Sequence, residues 1–228
     1  MCIIAVTRRG APQLSQTELA ALVARNPDGV GLAWAEAGRL HVWRQLQATA
    51  DQISSMLGHV PDTAPSILHL RQATCGPVTL DQVQPLMVDE EQGLVFAHNG
   101  TLPGLGGDQV SDSQVFVRDT VAPACASTRG RWKTQSLLAH LVEVIPAGNR
   151  AVMLDRKGLI EVVHPEEGFF HRNMWLSNRK MRDSLEDAFV DGCQNWRFAA
   201  SDATVANAAR ASFLTPGVPE STWATELI

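Results

Sequence analysis

Removing Met1 would leave Cys2 as a residue that carries both a thiol and a free α-amine. An α-amine titrates at about 7.7–8.0 and a thiol at about 8.5, so a proton can pass between them near neutrality. That pairing supplies nucleophile and base from one residue, the requirement for N-terminal acyl-transfer chemistry. Cys2 also heads the apolar run Cys2-Ile3-Ile4-Ala5-Val6, where a cysteine can equally serve as a small buried hydrophobe.

Three further stretches could complete such a site. Phe96-Ala97-His98-Asn99-Gly100-Thr101 reads as a strand ending in Asn-Gly. It is either a tight turn or a pair of converging donors, the Asn99 amide and the Gly100 N–H, suited to an oxyanion. His69-Leu70-Arg71-Gln72-Ala73-Thr74 runs into Cys75-Gly76-Pro77. Arg71 there could clamp a carboxylate through two parallel hydrogen bonds or form an ordinary ion pair. In Val110-Ser111-Asp112-Ser113-Gln114 an acidic residue opens a helix, either as part of its N-cap or as a carboxylate awaiting an ammonium group.

The elements that must carry these residues follow from periodicity. Cys2 to Val6 reads as a buried strand, and Leu14 to Arg25 as a helix with Ser15 as N-cap and Glu18 completing a capping box. A hairpin over Val30–Ala35 and Leu40–Trp43 follows, then a helix over Ala50–Gly58 and strands at Ile67–Arg71, Leu86–Val88 and Leu94–His98. Helices at Asp112–Val121 and Ser136–Val144 precede strands at Ala151–Leu154, Leu159–Val163 and Met174–Leu176. Strands and helices fall in blocks without strict alternation, which favours α+β over a doubly wound sheet.

Nineteen Lys and Arg against 24 Asp and Glu give a net charge of −5. No broad nucleic-acid face is expected, and Arg172, Arg179, Lys180 and Arg182 are read as solvated surface. The start lacks signal-peptide order and no apolar run approaches the ~18 residues of a membrane span, so a cytoplasmic protein is expected. Cys2, Cys75, Cys125 and Cys193 form no CxxC pair, and the seven histidines form no metal-ligand pattern. No metal site is expected.

Taken in order, Cys2, His69-Leu70-Arg71-Gln72-Ala73-Thr74, His98-Asn99-Gly100 and Ser111-Asp112-Ser113-Gln114 resemble the class II glutamine amidotransferases. In that family the matching elements are an N-terminal Cys, Arg-x-Ala-Thr, His-Asn-Gly and a Ser/Thr-Asp-Ser/Thr segment. Asn26-Pro27-Asp28-Gly29-Val30-Gly31 also looks like the family's early Asp-containing loop. The resemblance implies a four-layer αββα sandwich of the N-terminal-nucleophile type, as one domain over 1–228 with 183–228 as a C-terminal extension. It implies Cys2 as nucleophile, with Asn99 and Gly100 holding the oxyanion. Arg71 would bind the α-carboxylate of L-glutamine and Asp112 its α-ammonium, while Thr74 would shape the pocket or assist substrate contacts. His98 is placed with these substrate-binding residues, and its position beside Asn99 suits support of the strand end more than ligand binding. No cofactor is implied. Gln72, Cys75 and Gln84 stand where many members have Trp, His and His, which affects substrate preference more than the identity of the nucleophile.

A second catalytic domain does not fit in 228 residues. The ammonia is therefore expected to reach a separate synthase, or else the substrate is another γ-glutamyl amide. A silent binding module is the reading from a different class, and it has no physical need for all of Cys2, Arg71, Asn99, Gly100 and Asp112.

Overall fold

A computed structural model describes residues 2–128, 131–182 and 185. The expected C-terminal extension, with Cys193, lies outside the described residues apart from Leu185.

Apolar residues on alternate faces build two sheets, each buried on both sides. The first holds six antiparallel strands in the order β3-β2-β4-β1-β10-β9. These are β1 (Ile3–Thr7), β2 (Val30–Glu36), β3 (Arg39–Gln45), β4 (Ser66–Leu70), β9 (Phe169–His171) and β10 (Met174–Leu176). The second runs β5-β6-β7-β8, with β5 (Leu86–Asp89), β6 (Leu94–Asn99), β7 (Arg150–Leu154) and β8 (Ile160–Val163). Ile4, Val6, Ala33 and Ile67 of the first sheet meet Val95, Ala97, Val152 and Leu154 of the second.

Helices α1 (Gln16–Arg25) and α2 (Ala50–Leu57) cover the outer face of the first sheet, packing Leu19, Leu22, Ile53 and Leu57 on Ile3, Leu32 and Leu68. Leu185 joins that cluster. Helices α3 (Asp112–Phe116), α4 (Ala122–Ser127) and α5 (Gln135–Val144) cover the second sheet, where Phe116, Leu138 and Leu141 meet Leu94, Phe96 and Met153. The result is the expected α+β fold with four layers, α–β–β–α. Among the described residues no helix is long and apolar enough to cross a membrane.

The capping box at Ser15 and Glu18 is present. The β2–β3 hairpin closes through Ala37 and Gly38 alone, both at positive φ, the geometry a two-residue loop demands. Two elements exceed the sequence reading. The helix from Asp112 continues past Val121 through a π turn at Val117–Val121 into α4, where Pro123 is tolerated in the first turn. Strand β9 is three residues long and flanked by Gly168 and by Arg172 at φ 52°, too short to show a period.

Candidate active site

Cys2 sits just ahead of β1, on the face shared by Ile4 and Val6, and therefore at the end of the layer between the sheets. Its Sγ accepts from Gln72 N at 3.4 Å and lies 3.5 Å from Gln72 O. It keeps some exposed surface, yet burial pushes the thiol above its ordinary pKa, opposed by the Gln72 backbone and the Arg71 charge. A thiol so placed needs a base close by.

Arg71 follows β4 and is 3% exposed. Its guanidinium donates to Pro77 O at 2.8 Å and Cys75 O at 3.3 Å, which uses two of five N–H donors and fixes the plane of the fork. Asp28 holds the same loop by accepting from Ala73 N at 2.7 Å, and Thr74 stands exposed at its tip. Gly76, at φ 73°, brings this loop against the start of α3, since a Cβ there would lie 2.5 Å from Ser111 N. No side chain fits.

Ser111 caps α3, its side chain accepting from Gln114 N, and Asp112 is the first residue of the helix. Asp112 is 6% exposed, and its carboxylate accepts from Leu102 N at 2.8 Å and Ser113 N at 2.7 Å. Its orientation is thereby set by backbone donors at a helix start, where negative charge is favoured.

Asn99 and His98 end β6 on opposite faces. Asn99 shares the inter-sheet face with Val95 and Ala97, on the Cys2 side, and its Nδ2 lies 2.9 Å from Ser177 Oγ. The His98 ring instead faces the helix layer, with Nδ1 3.0 Å from Ser113 Oγ and Nε2 3.0 Å from Asn149 Oδ1. Burial holds its pKa below the usual histidine value against the opposing Asp112 charge. With Asn149 Oδ1 as acceptor the neutral ring carries its proton on Nε2, an assignment made from the partners. His98 thus braces the Asn-Gly turn to the helix that carries Asp112. Gly100, at φ 152°, leaves room for Asn149, whose Oδ1 would stand 2.0 Å from an added Cβ.

Several residues to which sequence reasoning gave no such role hold this frame. Gln84 accepts from His98 N at 2.5 Å and donates to Ser113 Oγ at 3.2 Å. Gln82 accepts from Ser111 N at 2.8 Å. Ser177 and Asn178, just past β10, reach Asn99 and Cys2 respectively. Each acts across long sequence separations, and no local pattern marks it.

His69 is fully buried between the sheets, and neither ring nitrogen has a hydrogen-bond partner among the described residues. Burial, with the Arg71 charge adding to it, pushes its pKa down to about 3. The unfolded chain takes up that proton near 6.5, so acid favours unfolding across the interval from about 6.5 to 3. Stability should fall as pH drops through that window, by up to about 1.4 kcal/mol per pH unit. Urea midpoints of the wild type should therefore decline more steeply between about pH 6.5 and 4 than those of His69→Leu. Equal slopes would rule this account out.

Comparison with known proteins accords with the assembled motifs. The family model for class-II glutamine amidotransferases matches residues 11–125, just over half the chain; Cys2 precedes the matched stretch. No curated protein matches the chain. Among solved structures, glutamine phosphoribosylpyrophosphate amidotransferase from B. subtilis, complexed with ADP and GMP, is 16% identical with a TM-score of 0.39, over 82% of this chain and 44% of that one. A structure of the allosteric regulatory enzyme of purine biosynthesis is 16% identical with a TM-score of 0.43, over 82% and 43%. The chain spans less than half the length of either. With its ordered motifs gathered at one end of the two sheets and that family match over half its length, the chain belongs to the class-II glutamine amidotransferases.

Proposed function

We propose that the chain hydrolyses the side-chain amide of L-glutamine through a Cys2 thioester and delivers the ammonia to a separate synthase. The observation that supports this most is the shared location of Cys2 and Asn99, both on the inter-sheet faces and both tied to the Ser177-Asn178 pair.

With Met1 removed, the α-amine of Cys2 takes the thiol proton and the thiolate attacks the amide carbon. The Asn99 amide and Gly100 N–H receive the developing oxyanion. Collapse expels ammonia, which takes its proton from the α-ammonium, and leaves a γ-glutamyl thioester. The amine then activates a water that releases glutamate and restores the thiol. No step calls for a metal or organic cofactor. Arg71 clamps the substrate α-carboxylate, Asp112 accepts the α-ammonium, and Thr74 shapes the mouth of the pocket. His98 acts behind the pocket by holding the strand end.

Arg71→Lys and Asp112→Asn test the substrate assignment. Each should raise KM for glutamine strongly, because a lysine cannot reproduce the planar fork and an amide cannot match a carboxylate toward a cation. Turnover should fall as well, since a loosely held substrate presents its amide badly. Des-amino and des-carboxy glutamine analogues should be poor substrates for the wild type. If they are hydrolysed as well as glutamine and both variants keep the wild-type KM, the substrate is another amide.

A further inference from the structure

Asn99 presents an imbalance. As placed, its Nδ2 donates to Ser177 Oγ at 2.9 Å and, at the longer distance of 3.4 Å, to Ser177 O. Its Oδ1, fully buried, has no partner among the described residues. Leaving a buried carbonyl oxygen unpaired is costly, and an oxyanion site needs a donor from this side chain, not an acceptor.

Oxygen and nitrogen of an amide are assigned from their partners. Turning the Asn99 amide by half a rotation lets Oδ1 accept the Ser177 hydroxyl proton, giving up only the 3.4 Å contact to Ser177 O. The hydroxyl can do this because it already accepts from Ile4 N at 2.8 Å, so its proton is available. The NH2 group then stands where the unpaired oxygen stood, free to donate to a ligand.

Ser177 is itself held firmly. Its N–H donates to Ile4 O at 3.0 Å, continuing the pairing of β10 with β1, and the side chain is 0% exposed. Asn178 donates to Cys2 O at 3.3 Å. One dipeptide thus touches both the residue read as nucleophile and the residue read as oxyanion donor.

We propose that Ser177 is the positioning residue of the oxyanion site, donating to Asn99 Oδ1 and so aiming the Asn99 NH2 group at the carbonyl that Cys2 attacks. This rests on the glutaminase reading given above. Ser177 touches no reacting atom. It acts through Asn99, and its effect should appear in turnover and not in substrate binding.

The test compares glutamine kinetics of the wild type, Ser177→Ala, Ser177→Thr, Asn99→Ala and the Ser177→Ala/Asn99→Ala double variant. Ser177→Ala should lower kcat at least about tenfold, short of the ~10²–10³ of losing the donor itself, with KM unchanged. Ser177→Thr, which keeps the hydroxyl, should recover most of that loss. In the Asn99→Ala background the serine change should cost little more, because the group it orients is gone. Ser177→Ala also deprives Ile4 N–H of its acceptor. If it does not fold, Ser177→Cys replaces it, since the thiol is only a weak donor and should show the same loss of turnover. A kcat within about twofold of wild type in the alanine or cysteine variant, or losses that multiply in the double variant, would overturn the role of Ser177 alone. A wild type inactive on glutamine, or an Asn99→Ala variant with unchanged turnover, would overturn the oxyanion reading and this inference together.

Discussion

Cys2→Ala should abolish glutamine hydrolysis and leave the fold intact. The side chain contributes only long sulfur contacts to the Gln72 backbone, so its truncation removes the attacking atom and little else. The urea midpoint should stay close to that of the wild type while ammonia release drops to background. An electrophilic glutamine analogue should modify Cys2 of the wild-type protein and no other thiol. Cys125 is the internal control: it is 1% exposed, and burial with the nearby Asp89 charge pushes its pKa up to about 11, which leaves almost no thiolate near neutrality. Mass spectrometry of active protein should find Met1 absent, because an acylated α-nitrogen cannot act as the base. Modification of Cys75 or Cys125 in place of Cys2, with Cys2→Ala still active, would sink the mechanism.

Asn99→Ala should reduce turnover by about 10²–10³ while KM changes little, the loss of roughly 2.7–4 kcal/mol expected for one oxyanion donor. A smaller stability loss of about 1 kcal/mol should accompany it, because the buried Ser177 hydroxyl loses a partner. Gly100→Ala is a poorer probe of the same site. Its Cβ would run into Asn149, and Asn149 holds His98, so the whole strand end would shift. If Asn99→Ala cuts turnover less than about threefold, His98-Asn99-Gly100 is only a turn.

Local chemistry made much of this fold legible. The β-branched run after Cys2 became β1, the Ser15–Glu18 pair became a closed capping box, and the helix expected from Asp112 starts there, capped by Ser111. The strand carrying Asn99 runs to Asn99 and the one delivering Arg71 ends at Leu70, each within one residue of its expected end. The pairing of distant strands was not legible. Nothing near Met174 announces that β10 lies beside β1, and nothing near Ser177 or Asn178 announces contact with Asn99 or Cys2. The sequence assigns nothing to Gln82 and marks Gln84 only as a departure from the family pattern, although their amides link the loop before β5 to Ser111, Ser113 and His98. Side-chain amides that bridge elements carry no periodic signature, and so the frame of the site emerged only with tertiary structure.

The pairing of β1 with β10 also sets a timetable for each newly made molecule. Ile4 is made well before Ser177, the residue that bonds its backbone, which lies 173 residues further along the chain. At ~5–20 residues per second, that delay is on the order of ten seconds or more. Throughout it β1 has no neighbour on its β10 side, and the removal of Met1 that the proposed mechanism requires would have that interval in which to occur. A polypeptide halted just short of Met174 already carries Cys2, Arg71, Asn99 and Asp112. It still lacks the strand that completes the sheet beside β1 and brings Ser177 and Asn178 to Asn99 and Cys2, so the thiol gains its final setting only once that strand has been made.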